Sequence, residues 1–126
     1  MYRCLVPALA LVAAALPAAA QVQRSFPQDA LRGEIAIGIP PEITVNGKRA
    51  RLAPGSRIRD QNNMLALSAS LAGGRFTAHY TVDGGGEVRD VWILRADELA
   101  IRPWPETAQQ AHAWAFDPVA QRWTKP

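Results

Sequence analysis

Residues 43–52 read ITVNGKRARL, and this stretch is the strongest local predictor of the fold. Two short runs of β-forming residues flank Asn46-Gly47, a dipeptide that favours a type I′ hairpin turn because both positions tolerate a positive φ. The turn fixes which residues face each other. The predicted pairs are Val45 with Lys48, Thr44 with Arg49, Ile43 with Ala50 and Glu42 with Arg51. One face of the hairpin is therefore apolar, and the other carries two arginines.

Alternating apolar residues predict further strands on both sides of this hairpin. Residues 34–39 carry isoleucine at every second position, and residues 76–82 alternate in the same way. The inward-facing side chains of these two strands are predicted to be Ile35, Ile37, Ile39, Phe76, Ala78, Tyr80 and Val82. A glycine-rich turn at residues 83–86 leads into a returning strand over residues 87–94.

Other segments of the chain are predicted from turn residues and short apolar runs. Pro54-Gly55 fits a type II turn, after which a separate strand starts at Ser56. Residues 64–71 fit either a strand or a helical turn, and we favour the strand. Residues 96–101 fit a short helix. Short strands with turns every eight to twelve residues predict a small barrel or sandwich.

The predicted fold class is therefore all-β. We expect about five to seven short antiparallel strands in an OB-like or SH3-like arrangement, with short helical turns and an irregular C-terminal tail. The nine glycines all fall between Gly33 and Gly86, whereas three of the four tryptophans follow Arg102. This contrast predicts a β domain over residues 26–101, preceded by a linker over residues 21–25. A tail rich in tryptophan, proline and alanine follows over residues 102–126.

The tail itself fits two structures. Alanines at helical spacing in residues 106–116 favour a helix. Alternatively, residues 113–116 and 122–124 flank Asp117-Pro118 as a hairpin. The prolines of the tail argue against one long helix, and both alternatives remain open at the level of the sequence.

The N-terminal 20 residues have the three parts of a secretory signal peptide. Arg3 provides the positive charge, residues 5–16 are apolar, and residues 18–20 form a small-residue cleavage site before Gln21. Cleavage after Ala20 would remove Cys4, the one cysteine. The mature chain would then lack disulfides, thiol nucleophiles and thiolate metal ligands. We therefore predict a periplasmic protein without a transmembrane anchor.

A cationic stretch is the leading candidate for a binding site. All eleven acidic and thirteen of the fourteen basic residues follow Ala20, so the mature chain carries a net charge of only +2. Any anion binding must therefore depend on a local patch. The candidate anion-binding residues are Lys48, Arg49, Arg51, Arg57 and Arg59. If Arg57 and Arg59 lie on a strand neighbouring the hairpin, the four guanidinium groups form one patch. The alternative is an ordinary solvated face.

The predicted partner of this patch is an anionic envelope component or an acidic protein surface. Nucleic acid is not expected, because no aromatic side chain lies between Val45 and Asp60 to stack on bases. A second candidate contact consists of the tail tryptophans Trp104, Trp114 and Trp123. They either cover the barrel or form an exposed anchor for a partner, since tryptophan is enriched at binding hot spots.

Several strings of the body together resemble a group of small exported proteobacterial proteins to which no activity is assigned. The strings are ALRG at residues 30–33, NG at 46–47, ARLAPGSRIR at 50–59, NNML at 62–65 and VWIL at 91–94. The resemblance extends over roughly residues 26–99 and excludes the tail. It implies export and a single compact β domain, and it carries over no catalytic residues.

Catalytic chemistry has little support in the sequence. The serines lie outside any G-x-S-x-G elbow, and the two histidines are 33 residues apart, so we predict no catalytic residue, metal site or cofactor. His79 is expected to be exposed on the outer face of its strand. The leading hypothesis is a non-enzymatic periplasmic binding or assembly module. The alternatives are a small envelope enzyme, with acids near residues 83–90 or a site where tail and barrel meet, and an adaptor that pairs through an edge strand.

Overall fold

The computed structural model describes residues 23–126, and the predicted signal peptide and its cleavage site lie outside this range. Eight strands and three short helices lie within this range. The strands are β1 (Leu31–Ile37), β2 (Glu42–Val45), β3 (Lys48–Arg59), β4 (Leu65–Ala66), β5 (Arg75–Val82), β6 (Val88–Ile93), β7 (Ala115–Asp117) and β8 (Arg122–Thr124). The helices are a 3₁₀ helix (Ser68–Leu71), α1 (Ala96–Leu99) and α2 (Ala108–Ala113).

Five of the strands close into a barrel, as the all-β prediction expected. The order is β2-β1-β5-β6-β3, and β3 returns to pair with β2. Four of these pairings are antiparallel, but β3 and β6 run parallel, because a ring of five strands cannot close with every pairing antiparallel. The expectation of antiparallel strands throughout was therefore wrong at this one pairing. Such a five-stranded barrel with non-sequential neighbours has the Greek-key character of the OB-like alternative.

The hairpin of β2 and β3 is confirmed in its register. All four predicted pairs are present, from Val45 opposite Lys48 to Glu42 opposite Arg51. Asn46 and Gly47 both adopt a positive φ, as a type I′ turn requires. The side chain of Asn46 also accepts a hydrogen bond from the backbone of Glu34 on β1, at 2.9 Å. The turn therefore joins the hairpin to the neighbouring strand.

Strand β3 differs from the prediction, since it passes through Pro54-Gly55 without ending. The first half of β3 pairs with β2, and the second half pairs with β6 and β4. The register shifts between Leu52 and Arg57, and Gly55 adopts a φ of 75° within this irregularity. A bulge of this kind bends a strand and lets it continue from one side of a barrel to the other. The predicted break into two strands at this point was therefore wrong, although Gly55 has the positive φ that the predicted type II turn requires.

We expect Gly55→Ala to lower the free energy of unfolding by about 1–2 kcal/mol, the cost of a left-handed conformation for a residue with a Cβ atom. Gly84→Ala is the matched control. A Cβ would meet no atom within 4 Å at either position, but only Gly55 has a positive φ. Urea unfolding of both variants would measure the difference. Equal stability of the two would contradict a conformational role for Gly55.

The barrel interior contains the side chains that the alternation placed inward, with two exceptions at strand ends. Ile35, Ile37, Ala78 and Tyr80 are buried. Ile39 is 85% exposed because β1 ends at Ile37 and the chain turns into Pro40-Pro41. Val82 is 44% exposed at the end of β5. Alternation therefore predicts the inner face only where the strand pairs on both sides.

The tail contains both structures that the sequence left open. Helix α2 precedes the hairpin of β7 and β8, so the two alternatives describe successive segments, and 12 of the 25 residues of the predicted irregular tail lie in regular elements. Thr107 caps α2 by accepting a hydrogen bond from the backbone of Gln110 at 3.2 Å. Residues 64–71, where a strand was favoured, form only the two-residue β4 and the 3₁₀ helix.

A second hydrophobic core joins the tail to the outside of the barrel. Its buried members are Phe26, Ala30, Leu94, Trp104 and Trp123, which come from the N-terminal segment, the end of β6 and the tail. The indole N–H of Trp104 donates to the carbonyl of Ala30 at 3.0 Å. The barrel is therefore covered on this side, and the outer face of β5 is buried there along with its inner face.

Candidate functional site

The predicted cationic residues all lie on β3, so they form an extended row. Lys48, Arg49 and Arg51 are exposed beside β2, whereas Arg57 and Arg59 lie beyond the bulge, next to β6 and β4. Arg57 follows Arg51 by six positions, which is about 20 Å along a strand. The condition for a compact patch, that Arg57 and Arg59 lie on a separate strand next to the hairpin, is therefore not met. The row suits an extended anionic surface better than one small anion.

Two carboxylates partly offset the charge of this row. Glu42 lies 3.7 Å from the guanidinium of Arg51, in a pair that is more than 60% exposed on both sides. Asp90 is the register partner of Arg57 on β6, but its side chain also interacts with Thr81 and Arg89. Exposed pairs contribute little energy, so both arginines remain available to a partner.

An exposed apolar cluster adjoins the Arg59 end of the cationic row. It was not predicted from the sequence. Its members are Met64, Leu65 and Leu67, which are 65%, 66% and 78% exposed. Leu65 is the antiparallel register partner of Arg59, so these two side chains share one face of the sheet. The signal was present in residues 64–71, where apolar residues recur in a segment that the structure leaves on the surface. We call these residues, with Arg57 and Arg59, the β3–β4 surface.

The tail tryptophans divide between the interior and the surface. Trp104 and Trp123 are 5% and 4% exposed within the second core, so they cover the barrel. Trp123 stacks on Phe116 with ring centroids 4.6 Å apart. Only Trp114 remains half-buried, with the ammonium of Lys125 5.3 Å from its ring centroid. A partner contact of the kind predicted for the three tryptophans is therefore open to Trp114 alone in this conformation.

His79 is 1% exposed, so the prediction of a surface histidine was wrong. Its side chain does lie on the outer face of β5, but the tail covers that face. Trp104 stacks on the imidazole at 4.1 Å, and Phe26 meets it edge-on at 4.4 Å. Burial, followed by the positive charges of Arg32 and Arg24, lowers the pKa of His79 to about 2. The imidazole is therefore neutral at physiological pH.

Arg32 links β1 to the segment between α1 and the tail. Its guanidinium donates to Nε2 of His79 at 3.2 Å, to the carbonyl of Ile101 at 3.0 Å and to that of Glu98 at 3.1 Å. All three acceptors are uncharged. Burial, and then the nearby charge of Arg102, lower the pKa of Arg32 below its ordinary value, although Glu106 and Glu98 oppose this shift. Arg32 is thus a half-buried cation held by neutral groups.

A buried ion pair of Arg24 and Glu98 joins the N-terminal segment to α1. The guanidinium Nε donates to Oε2 of Glu98 at 2.8 Å, a second bond joins Nη2 to Oε1, and both side chains are about 95% buried. Arg24 also donates to the carbonyls of Asp60 and Ile93. The predicted linker over residues 21–25 therefore contains an anchoring residue.

A groove lies beside the region where the tail packs on the barrel, and it has a cavity volume of about 1110 Å³. Its cationic lining residues are Arg32, Arg102 and Lys125, and Glu106 is the one acid among its lining residues. Leu99, Pro103, Trp114 and Trp123 supply apolar surface.

The carboxylates of the glycine-rich turn at residues 83–86 do not line this groove. Asp83 accepts hydrogen bonds through its Oδ1 from the backbone N–H groups of Gly85 and Glu87. The acidic cluster expected there therefore includes a residue that shapes its own turn.

Comparison of the chain with models of protein families, with curated proteins and with solved structures found no match. Over residues 23–126, no group of three or more His, Cys, Asp or Glu side chains is placed to hold a metal ion. None of the helices in this range is long and apolar enough to span a membrane. The β3–β4 surface and the groove are therefore the two candidate sites of the described residues that the chemistry of their side chains can characterise.

Proposed function

We propose that the protein is a non-enzymatic binding module for an anionic lipid surface of the cell envelope, acting in the periplasm. The observation that carries the proposal is the contact between charge and apolar surface on the β3–β4 surface. Arg59 and Leu65 are register partners, and Arg57, Met64 and Leu67 adjoin them. An anionic bilayer offers phosphates to the guanidinium groups and an apolar interior to the side chains that protrude beyond them.

The exposed apolar side chains and the length of the cationic row favour a lipid surface over an acidic protein. A soluble acidic partner satisfies the arginines but leaves Met64, Leu65 and Leu67 in water unless it supplies matching apolar residues. The cationic row along β3 extends the contact, because a membrane presents negative charge over the whole length that the row spans. An adaptor role through strand pairing has less support. Each of the five barrel strands pairs with two neighbours, whereas β4, β7 and β8 each pair with one among the described residues.

We expect Arg57→Gln with Arg59→Gln to weaken binding to vesicles of phosphatidylglycerol and phosphatidylethanolamine by about thirtyfold. Each arginine near an anionic membrane contributes about 1 kcal/mol. The control is Arg75→Gln with Arg122→Gln, which removes the same charge from exposed positions outside the β3–β4 surface. Vesicle co-sedimentation across a salt series would measure both variants. Equal weakening by the two pairs would mean that net charge alone attracts the protein, and would overturn the proposed site.

The apolar half of the surface has its own test in the same assay. Leu67→Ser should weaken vesicle binding several-fold, whereas Val119→Ser, at a 91% exposed position in the turn between β7 and β8, should leave it unchanged. Binding to polyglutamate as strong as binding to vesicles, with no effect of Leu67→Ser on either, would assign the surface to an acidic protein partner instead.

A further inference from the structure

The groove between barrel and tail is a second and independent candidate site. None of its lining residues belongs to β3 or β4, so it is distinct from the proposed lipid-binding surface. Its floor includes Arg32 of β1 and Thr77 of β5, and its walls come from the segment after α1 and from the last residues of the chain. The volume of about 1110 Å³ slightly exceeds the usual range for ligand sites, and it is enough for a small oligosaccharide.

The residues that line the groove carry a net positive charge. Arg32, Arg102 and Lys125 line it, and within residues 23–126 none of the three forms an ion pair with a carboxylate. Arg32 and Arg102 lie close enough for the charge of one to disfavour that of the other. A bound anion would relieve this repulsion, and the half-buried position of Arg32 would strengthen its attraction for that anion.

The groove presents two kinds of surface to a ligand. Three cations that have no carboxylate partner within the described residues would attract a negative charge, and the apolar side chains of the lining would pack against an apolar face.

We infer that this groove binds an acidic saccharide, that is, a sugar carrying a carboxylate or a phosphate. The anionic group would lie among Arg32, Arg102 and Lys125. The apolar surfaces of Leu99, Pro103 and Trp114 fit the apolar face of a sugar ring better than they fit a free inorganic anion. Gln110 and Thr124 add polar groups for sugar hydroxyls, and Glu106 can accept from one.

The test is calorimetric titration of the protein with trigalacturonate, with its neutral counterpart galactotriose as the matched ligand. We expect trigalacturonate to bind and galactotriose to bind at least about tenfold more weakly. Arg102→Gln with Lys125→Gln should reduce trigalacturonate binding by at least about tenfold. Arg122→Gln, on β8 and close to Lys125 in the chain but outside the groove lining, should leave trigalacturonate binding unchanged. Vesicle binding should be unaffected by all three substitutions, which separates this site from the proposed function.

Two outcomes would overturn the assignment of anion binding to this groove. One is equal trigalacturonate binding by the protein and by its Arg102→Gln/Lys125→Gln variant. The other is the absence of binding to both trigalacturonate and glucose 6-phosphate by the folded protein at about 10 mM ligand, a concentration that detects even millimolar affinity. Inorganic phosphate that binds as tightly as glucose 6-phosphate would exclude the sugar ring from the contact and overturn the assignment to a saccharide. Binding of trigalacturonate or of glucose 6-phosphate alone would support it and identify the anionic group.

Discussion

Replacement of Glu98 by leucine should destabilise the protein by about 3–5 kcal/mol, because it leaves the guanidinium of Arg24 buried without its counter-charge. Both side chains are about 95% buried, and the carboxylate binds Arg24 through two hydrogen bonds. Glu98 also accepts from the backbone N–H of Arg95 at 2.9 Å, which caps the first turn of α1. The loss is therefore expected at two points of the fold, and urea unfolding would measure it.

The matched control for this substitution is Glu34→Gln. Glu34 also pairs with an arginine, Arg75, at 3.1 Å, but the two side chains are 50% and 73% exposed. Its loss should cost no more than about 1 kcal/mol. The double variant Arg24→Met/Glu98→Leu should be more stable than Glu98→Leu alone, because it removes the unpaired charge together with its partner. A double variant no more stable than the single one would show that the pair does not account for the effect.

Local sequence was sufficient to predict the hairpin and the barrel that contains it. The Asn46-Gly47 turn depends only on the conformations that these two residues tolerate, so its register follows without knowledge of the rest of the chain. The same reasoning was wrong at Pro54-Gly55, although the residue types are equally typical of a turn. There the positive φ of Gly55 produces a bulge, because β6 and β4 continue the pairing on the far side. Those pairings are long-range, so the residue types at positions 54 and 55 do not indicate them.

The position of the candidate sites depended on contacts that alternation does not encode. His79 follows the alternating pattern of β5, and its side chain points away from the barrel interior as predicted. It is nevertheless buried because Trp104, 25 positions later, folds back over it. Arg24 was assigned to a linker for the same reason, since its partner Glu98 is 74 residues away. The groove exists only because the tail packs on β1 and β5, so the sequence could suggest a junction but not its lining.

Acidification below pH 6.5 should destabilise the protein through His79. The imidazole has a pKa of about 2 in the folded protein and an ordinary value near 6.5 when the chain is unfolded. The unfolded state therefore binds a proton that the folded state does not bind. The contribution of His79 to the stability of the protein is fully present above pH 6.5 and is lost as the pH decreases. Between pH 7.5 and pH 5 this one group should account for a loss of about 2 kcal/mol. The cause is burial beneath Trp104, reinforced by the charges of Arg32 and Arg24.

The His79→Phe variant isolates this effect because phenylalanine can retain the ring contacts without titrating. Its free energy of unfolding should vary less with pH, by about 1 kcal/mol per pH unit between pH 6 and pH 5, than that of the unsubstituted protein. His112→Gln, at an exposed position in the last turn of α2, should keep the full dependence. Phenylalanine cannot accept from Nε of Arg32, so a constant offset between the two curves is expected at every pH. Parallel curves for His79→Phe and the unsubstituted protein would instead mean that the tail opens readily enough for His79 to bind its proton. In that case the groove, which the same tail encloses, would not persist either.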